Sequence, residues 1–165
     1  MELILNNLIQ EIIKGNSSLV SIALQQHAKF EGWLKFELAN ALRGRYRDIM
    51  VEHHVKDINI LVDIYANESL IELKTINTNY GVTVPRTITA NVKGVINDIN
   101  KLKAASSTSS YQGGYIAFVM FPLDKSGAYK KHVDKIVQQI PTNKIKQTVV
   151  SAGENDILIF TTRIF

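Results

Sequence analysis

Asp57-Ile58-Asn59-Ile60-Leu61-Val62-Asp63-Ile64-Tyr65-Ala66-Asn67-Glu68-Ser69-Leu70-Ile71-Glu72-Leu73-Lys74-Thr75 carries both the fold and its chemistry. Residues 57–66 and 69–75 are rich in Val, Ile and Leu and read as strands, with Asn67 and Glu68 as a tight turn between them. Side chains alternate faces along a strand. Ile58, Ile60, Val62 and Ile64 therefore share one face, and Asp63 lies on the other with Asp57, Asn59, Leu61 and Tyr65. In the next strand Ile71 and Leu73 share a face, and Glu72, Lys74 and Leu70 take the opposite one. An antiparallel hairpin through Asn67–Glu68 places Asp63 beside Glu72 or Lys74. Two carboxylates on one side of a sheet repel unless a cation lies between them, and hard oxygen ligands suit Mg²⁺ or Mn²⁺. A lysine two residues on would orient an attacking water, help deprotonate it, or stabilise a developing negative charge. A bare Glu-X-Lys is common. This one ends an apolar strand, follows an aspartate strand by a short turn, and precedes a polar loop and a helix.

Outward from this hairpin, residues 47–55 read as a preceding strand. Residues 2–14 are expected to be helical, and Ser17 and Ser18 to cap one long helix running to Arg43, where Gly44 stops it. On a wheel with Phe30 at zero, Leu34 falls at roughly +40°, Leu38 at roughly +80°, Ala41 at roughly +20° and Glu37 at roughly −20°. Glu37 is thus expected within the apolar stripe, where an unpaired carboxylate is costly. Glu31 is expected nearer the stripe's edge. Residues 76–87 form a polar loop with Gly81 and Pro85. A helix at about 88–104 presents Val92, Val95, Ile96, Ile99 and Leu102 on one face. Residues 114–121 read as a buried strand, 128–139 as a helix, and 148–151 and 156–165 as final strands. This order predicts an α/β fold with a mixed β-sheet flanked by helices. The Ser/Thr-rich stretch 104–110 reads as a loop within one domain spanning residues 1–165.

The chain has 165 residues, 45% of them hydrophobic and 21% charged. That is ordinary globular composition, with no apolar run long enough to span a bilayer. The opening segment carries Glu2 and Glu11 and lacks the basic flank of a signal peptide. With no cysteines, disulfides, thiolate metal sites and cysteine nucleophiles are excluded, which fits a reducing cytoplasm. The net charge of +4 suits a polyanionic partner such as nucleic acid. His53 and His54 are adjacent on a strand and point to opposite faces, so they form no chelating pair. No nucleophile elbow or phosphate-binding glycine loop is present.

The helix with Glu37, the Asp63 strand, the Ile71-Glu72-Leu73-Lys74-Thr75 strand and the helix Val92–Leu102 together resemble the PD-(D/E)XK nuclease superfamily. The segment Asn97-Asp98-Ile99-Asn100-Lys101-Leu102 also looks like the helix after the catalytic strand in its restriction-like members. The likeness covers about residues 28–121. It implies a restriction endonuclease-like core of order α-βββ-α-β, with C-terminal additions. Val62 stands where the name-giving motif has proline. The motif's aspartate is Asp63 or Asp57, and Asp63, nearer the hairpin turn, is preferred. By this resemblance Asp63 and Glu72 would bind Mg²⁺ or Mn²⁺, the Leu73 carbonyl would add a ligand, and Glu37 would support the metal shell. Lys74 would position or activate water. The implied reaction is metal-dependent hydrolysis of DNA phosphodiester bonds, with DNA or RNA preference left open. Arg43, Arg45, Arg47, Arg86 and Lys93 are candidates to hold backbone phosphates. A homodimer is expected if both strands are cut. The competing expectation is a catalytically silent nuclease-fold protein that binds DNA or protein.

Overall fold

The computed structural model describes residues 1–26, 28–80, 88–108 and 110–165. Arg86, with Gly81 and Pro85 of the expected loop, lies outside the described residues, as does His27. Helices α1 (Glu2–Gly15), α2 (Ser17–Gln25) and α3 (Glu31–Arg43) come first. Strands β1 (Ile49–Val55), β2 (Ile60–Ala66) and β3 (Ser69–Asn77) follow, then α4 (Thr89–Ala105), β4 (Gly113–Phe121), α5 (Lys130–Val137), β5 (Ile145–Ala152) and β6 (Asn155–Arg163). The six strands form one mixed sheet in the order β1-β2-β3-β4-β6-β5.

The β2–β3 hairpin closes through Ala66↔Ser69. Its two loop residues, Asn67 and Glu68, have φ of 47° and 62°, the pair of left-handed residues that matches strand twist in a two-residue hairpin. From β3 the chain crosses over through α4 and returns as β4, parallel to β3 from Ser69↔Gly113 to Asn77↔Phe121. A parallel pair needs such a crossover, and the helix that supplies it covers the sheet. All nine residues of β4 are buried, as expected for a central strand with helices on both faces.

Two apolar layers hold the sheet. On one face Leu5, Ile9 and Ile13 of α1 and Leu34, Leu38 and Leu42 of α3 pack on Ile64, Ile71, Leu73 and Val119. On the other, Val95, Ile99 and Leu102 of α4 and Val133 and Ile136 of α5 pack on Leu70, Ile76, Phe118 and Phe160. The sheet is thus the middle of three layers.

Three local expectations change. The long helix to Arg43 is two helices, because Phe30 leaves the helical path to bury its ring against Phe121 with centroids 4.8 Å apart. Gly44 follows α3 with φ −67°, so the helix ends without a left-handed glycine cap. The strand expected from residue 57 starts at Ile60, because residues 56–58 form a 3₁₀ turn closed by Asn59 at φ 52°.

The regular alternation of β2 also fails. Val62 joins the α4 layer while Ile64 joins the α3 layer, although two residues apart should share a face. The change of face lies opposite an irregular residue of β1. The β1–β2 register runs Val51↔Ile64 and then His53↔Val62, and Glu52 between them has φ 53°. A left-handed residue inside a strand rotates the chain locally and is strained for a non-glycine.

Candidate metal centre

Strands β2 and β3 part where the chemistry is concentrated. Their register ends at Ile64↔Ile71, so the next residues of β3 on that edge lose their strand partner. Buried amides must be satisfied, and two carboxylates do this. The Leu73 N–H donates to Asp63 Oδ2 at 2.9 Å, and the Thr75 N–H donates to Glu31 Oε2 at 2.7 Å. Alternate residues of a strand direct amide and carbonyl to the same edge. The Leu73 carbonyl therefore lies on this edge as well.

Glu72 and Lys74 project from β3 toward α4. Glu72 is only 2% exposed. Its Oε1 lies 2.5 Å from Lys101 Nζ. Lys74 Nζ lies 3.3 Å from Asp98 Oδ2 and 3.5 Å from Glu31 Oε1. Lys101 also donates to the Leu61 carbonyl at 2.7 Å, bridging the split between β2 and β3. On the α3 side, Lys35 Nζ reaches Glu52 Oε1 at 3.0 Å and Asp63 Oδ1 at 3.7 Å. Helix α4 comes close at Gly94, where a Cβ would stand 3.9 Å from Lys74 Cε.

The resulting group contains Glu31, Glu52, Asp63, Glu72 and Asp98 with Lys35, Lys74 and Lys101. Fully ionised, five carboxylates and three ammonium groups carry a net −2. The buried interior resists this charge. Burial, reinforced by the Asp63 charge, pushes the Glu72 carboxyl up to about 9, and Lys101 offsets only part of it. Burial also raises Asp98, against the pull of Lys74 and Lys101. For Lys74, burial works against the ammonium, but Asp98 and Glu31 outweigh it and hold the group above the usual lysine range. Lys74 is therefore a charged donor at neutral pH.

Among the described residues, no three His, Cys, Asp or Glu side chains form a ready-made metal cage. The donor set nonetheless fits a hard divalent cation. Its oxygens are carboxylate and carbonyl, its deficit when fully ionised is two charges, and the buried Glu72 Oε1 and Asp98 Oδ2 meet only the ammonium groups of Lys101 and Lys74. Asp63, Glu72 and the Leu73 carbonyl are the atoms that would hold it.

The structure brings Asp63, Glu72 and Lys74 together. Asp57 stands apart in the exposed 3₁₀ turn. Glu37 is a correction. It is half-buried and, among the described residues, makes no hydrogen bond or ion pair, and the α3 carboxylate in the group is Glu31. The buried residues of α3 are Leu34, Leu38, Ala39 and Leu42, which on the same wheel fall at roughly 40°, 80°, 180° and 120°. Their centre lies near 100°, the direction of Glu31, not at the Phe30 position from which the stripe was drawn.

The arginine candidates are placed elsewhere too. Arg43, Arg45 and Arg47 line a shallow depression with Tyr46 and Ile49 at the end of α3 remote from Glu31. Twelve residues of helix separate Glu31 from Arg43, about 18 Å. The Asp48 carbonyl there accepts from the Asn67 amide of the hairpin turn, away from residues 72–75. Lys93 is exposed on α4 beside Gly94. His53 Nε2 meets the Tyr111 hydroxyl at 3.1 Å and His54 Nε2 meets Asn59 Oδ1 at 2.9 Å, so neither histidine joins the group.

Asp98 and Lys101 join the group without a sequence motif that marks them. Gly94, Asp98 and Lys101 follow the i, i+4, i+7 spacing of one helix face, beside the apolar stripe of Val95, Ile99 and Leu102. A polar stripe at that spacing on a crossover helix was the available signal.

No family model, curated protein or solved structure matches this chain.

Proposed function

We propose that this protein is a divalent-metal-dependent endonuclease of the PD-(D/E)XK kind, hydrolysing phosphodiester bonds in DNA with Mg²⁺ or Mn²⁺. The observation that carries this reading is the split between β2 and β3, filled by Asp63, Glu72 and Lys74 within a group of more carboxylates than ammonium groups. The order α3-β1-β2-β3-α4-β4 supports it, being the α-βββ-α-β arrangement that the resemblance implies.

A bound cation would supply Lewis acidity and lower the pKa of a bound water. The chain's own residues do the rest. Asp63 is oriented by the Leu73 amide. Lys74, held by Asp98 and Glu31, directs an N–H at the attacking water or the scissile phosphate and stabilises the charge that grows there. Because it stays protonated, it serves as donor and not as base. Lys93, exposed on α4, would meet the adjacent backbone. Arg43, Arg45 and Arg47, about 18 Å away along α3, would reach phosphates about five base pairs from the cut. A two-fold homodimer would present one such site to each strand.

A second reading, a nuclease-fold protein that binds DNA or protein without cutting, is favoured by one contact, that of Lys101 with Glu72. Incubation with supercoiled, linear and branched DNA and with RNA, in Mg²⁺, Mn²⁺ or EDTA, separates the two. Cleavage that requires metal and is lost in Asp63→Asn is expected. DNA binding without cleavage in either metal would establish the second reading.

A further inference from the structure

Lys101 is the least expected member of the group. It comes from α4, its ammonium is only partly exposed, and it touches Glu72, Leu61 and Asp98 at once. The 2.5 Å contact is with Glu72 Oε1, an oxygen that a cation between Asp63 and Glu72 would need. An ammonium and a divalent cation crowded onto one carboxylate oxygen repel each other, so that binding of the cation favours departure of the ammonium.

Resting on the metal-centre reading above, we infer that Lys101 is a resident ammonium that a divalent cation displaces from Glu72, so that Lys101 sets the affinity of the site for metal. The displaced ammonium has a place to go. It already donates to the Leu61 carbonyl at 2.7 Å and lies 3.8 Å from Asp98 Oδ1, so a small rotation exchanges Glu72 for Asp98 without stranding a buried charge. The exchange also gives the metal-free protein a reason to be ordered here. Lys101 ties Leu61 of β2 to Glu72 of β3 where the ladder between those strands has ended. Lys101 is thus a positioning residue for the metal, acting through Glu72.

The test is Mn²⁺ affinity of the purified full chain, measured by electron paramagnetic resonance of free Mn²⁺ at low ionic strength. Lys101→Met keeps an unbranched helix former of similar length and removes the charge. Lys103→Met removes the same charge from an exposed position of the same helix. Lys101→Met is expected to bind Mn²⁺ at least about tenfold more tightly than wild type, and Lys103→Met within about twofold, because only the first charge competes at contact distance. Circular dichroism confirms that each variant is folded before titration. Affinity unchanged or weakened in Lys101→Met overturns the inference while leaving the metal centre standing. Equal tightening in both variants overturns it too, by showing a general field effect. Absence of Mn²⁺ binding in wild type and in Lys101→Met alike removes the metal centre itself.

Discussion

Glu72→Gln is expected to make the metal-free protein more stable than wild type at pH 7.5, by up to about 4 kcal/mol. Few substitutions at a proposed metal ligand should stabilise, and the reason is electrostatic. Glu72 is buried beside the Asp63 charge, which moves its carboxyl from the ordinary 4.5 to about 9. Between those two values the native protein holds a proton that the unfolded chain has released. The native state binds more protons, so stability falls as pH rises. This stabilising contribution is complete below pH 4.5 and is lost as pH passes 9. At pH 7.5 the gap from 4.5 is three units at about 1.4 kcal/mol each, which sets the upper bound. Glutamine fills the same space and has no proton to lose. Lys101 gives up its partner in the variant but keeps the Leu61 carbonyl, which trims the gain. Thermal melts in EDTA from pH 5 to pH 8.5 check this. Wild type should lose stability relative to Glu72→Gln as pH rises. Added Mg²⁺ should raise the melting temperature of wild type and leave the variant unmoved. Parallel curves in EDTA would mean that Glu72 is ionised without metal.

Lys74→Met is expected to slow single-turnover DNA cleavage by about 10²–10³-fold, the usual effect of removing one donor aimed at developing charge. Metal affinity should not fall, because removing an ammonium from a group with excess carboxylates favours a cation. That split between rate and affinity distinguishes Lys74 from a residue needed only to build the site. Since Asp98 and Glu31 hold Lys74 above the ordinary lysine value, the cleavage rate should show no loss attributable to Lys74 between pH 6 and 9. A rate that rose with deprotonation of Lys74 in this range would make it the base and reverse its assigned role. Lys74→Arg keeps the charge but loses the compact ammonium and should fall between Met and wild type.

The hairpin was legible because turn chemistry and strand periodicity agree there. Asn67 and Glu68 take the left-handed conformations that a two-residue turn needs, and Asp63, Glu72 and Lys74 follow from the register. The crossover helix and its buried stripe were legible for the same reason, local pattern matching global position. What failed depended on contacts distant in sequence. The break before α3 comes from Phe30 seeking Phe121, with no proline or glycine at the break to announce it. The exchange of Glu37 for Glu31 follows from that break. Once Phe30 leaves the helix it no longer defines the buried face, and the stripe turns toward Leu38 and Leu42. The reversal of faces between Val62 and Ile64 accompanies the left-handed Glu52 on the paired strand β1. Asp98 and Lys101 became visible only when α4 was laid against β3.

Diffraction from crystals soaked in Mn²⁺, with data collected for manganese anomalous signal, tests the central claim most directly. The account predicts a peak bounded by oxygens of Asp63 and Glu72 and by the Leu73 carbonyl, at about 2.0–2.2 Å from each, with Lys101 moved off Glu72. Crystals that hold no manganese at these carboxylates, with Lys101 still against Glu72, would contradict it.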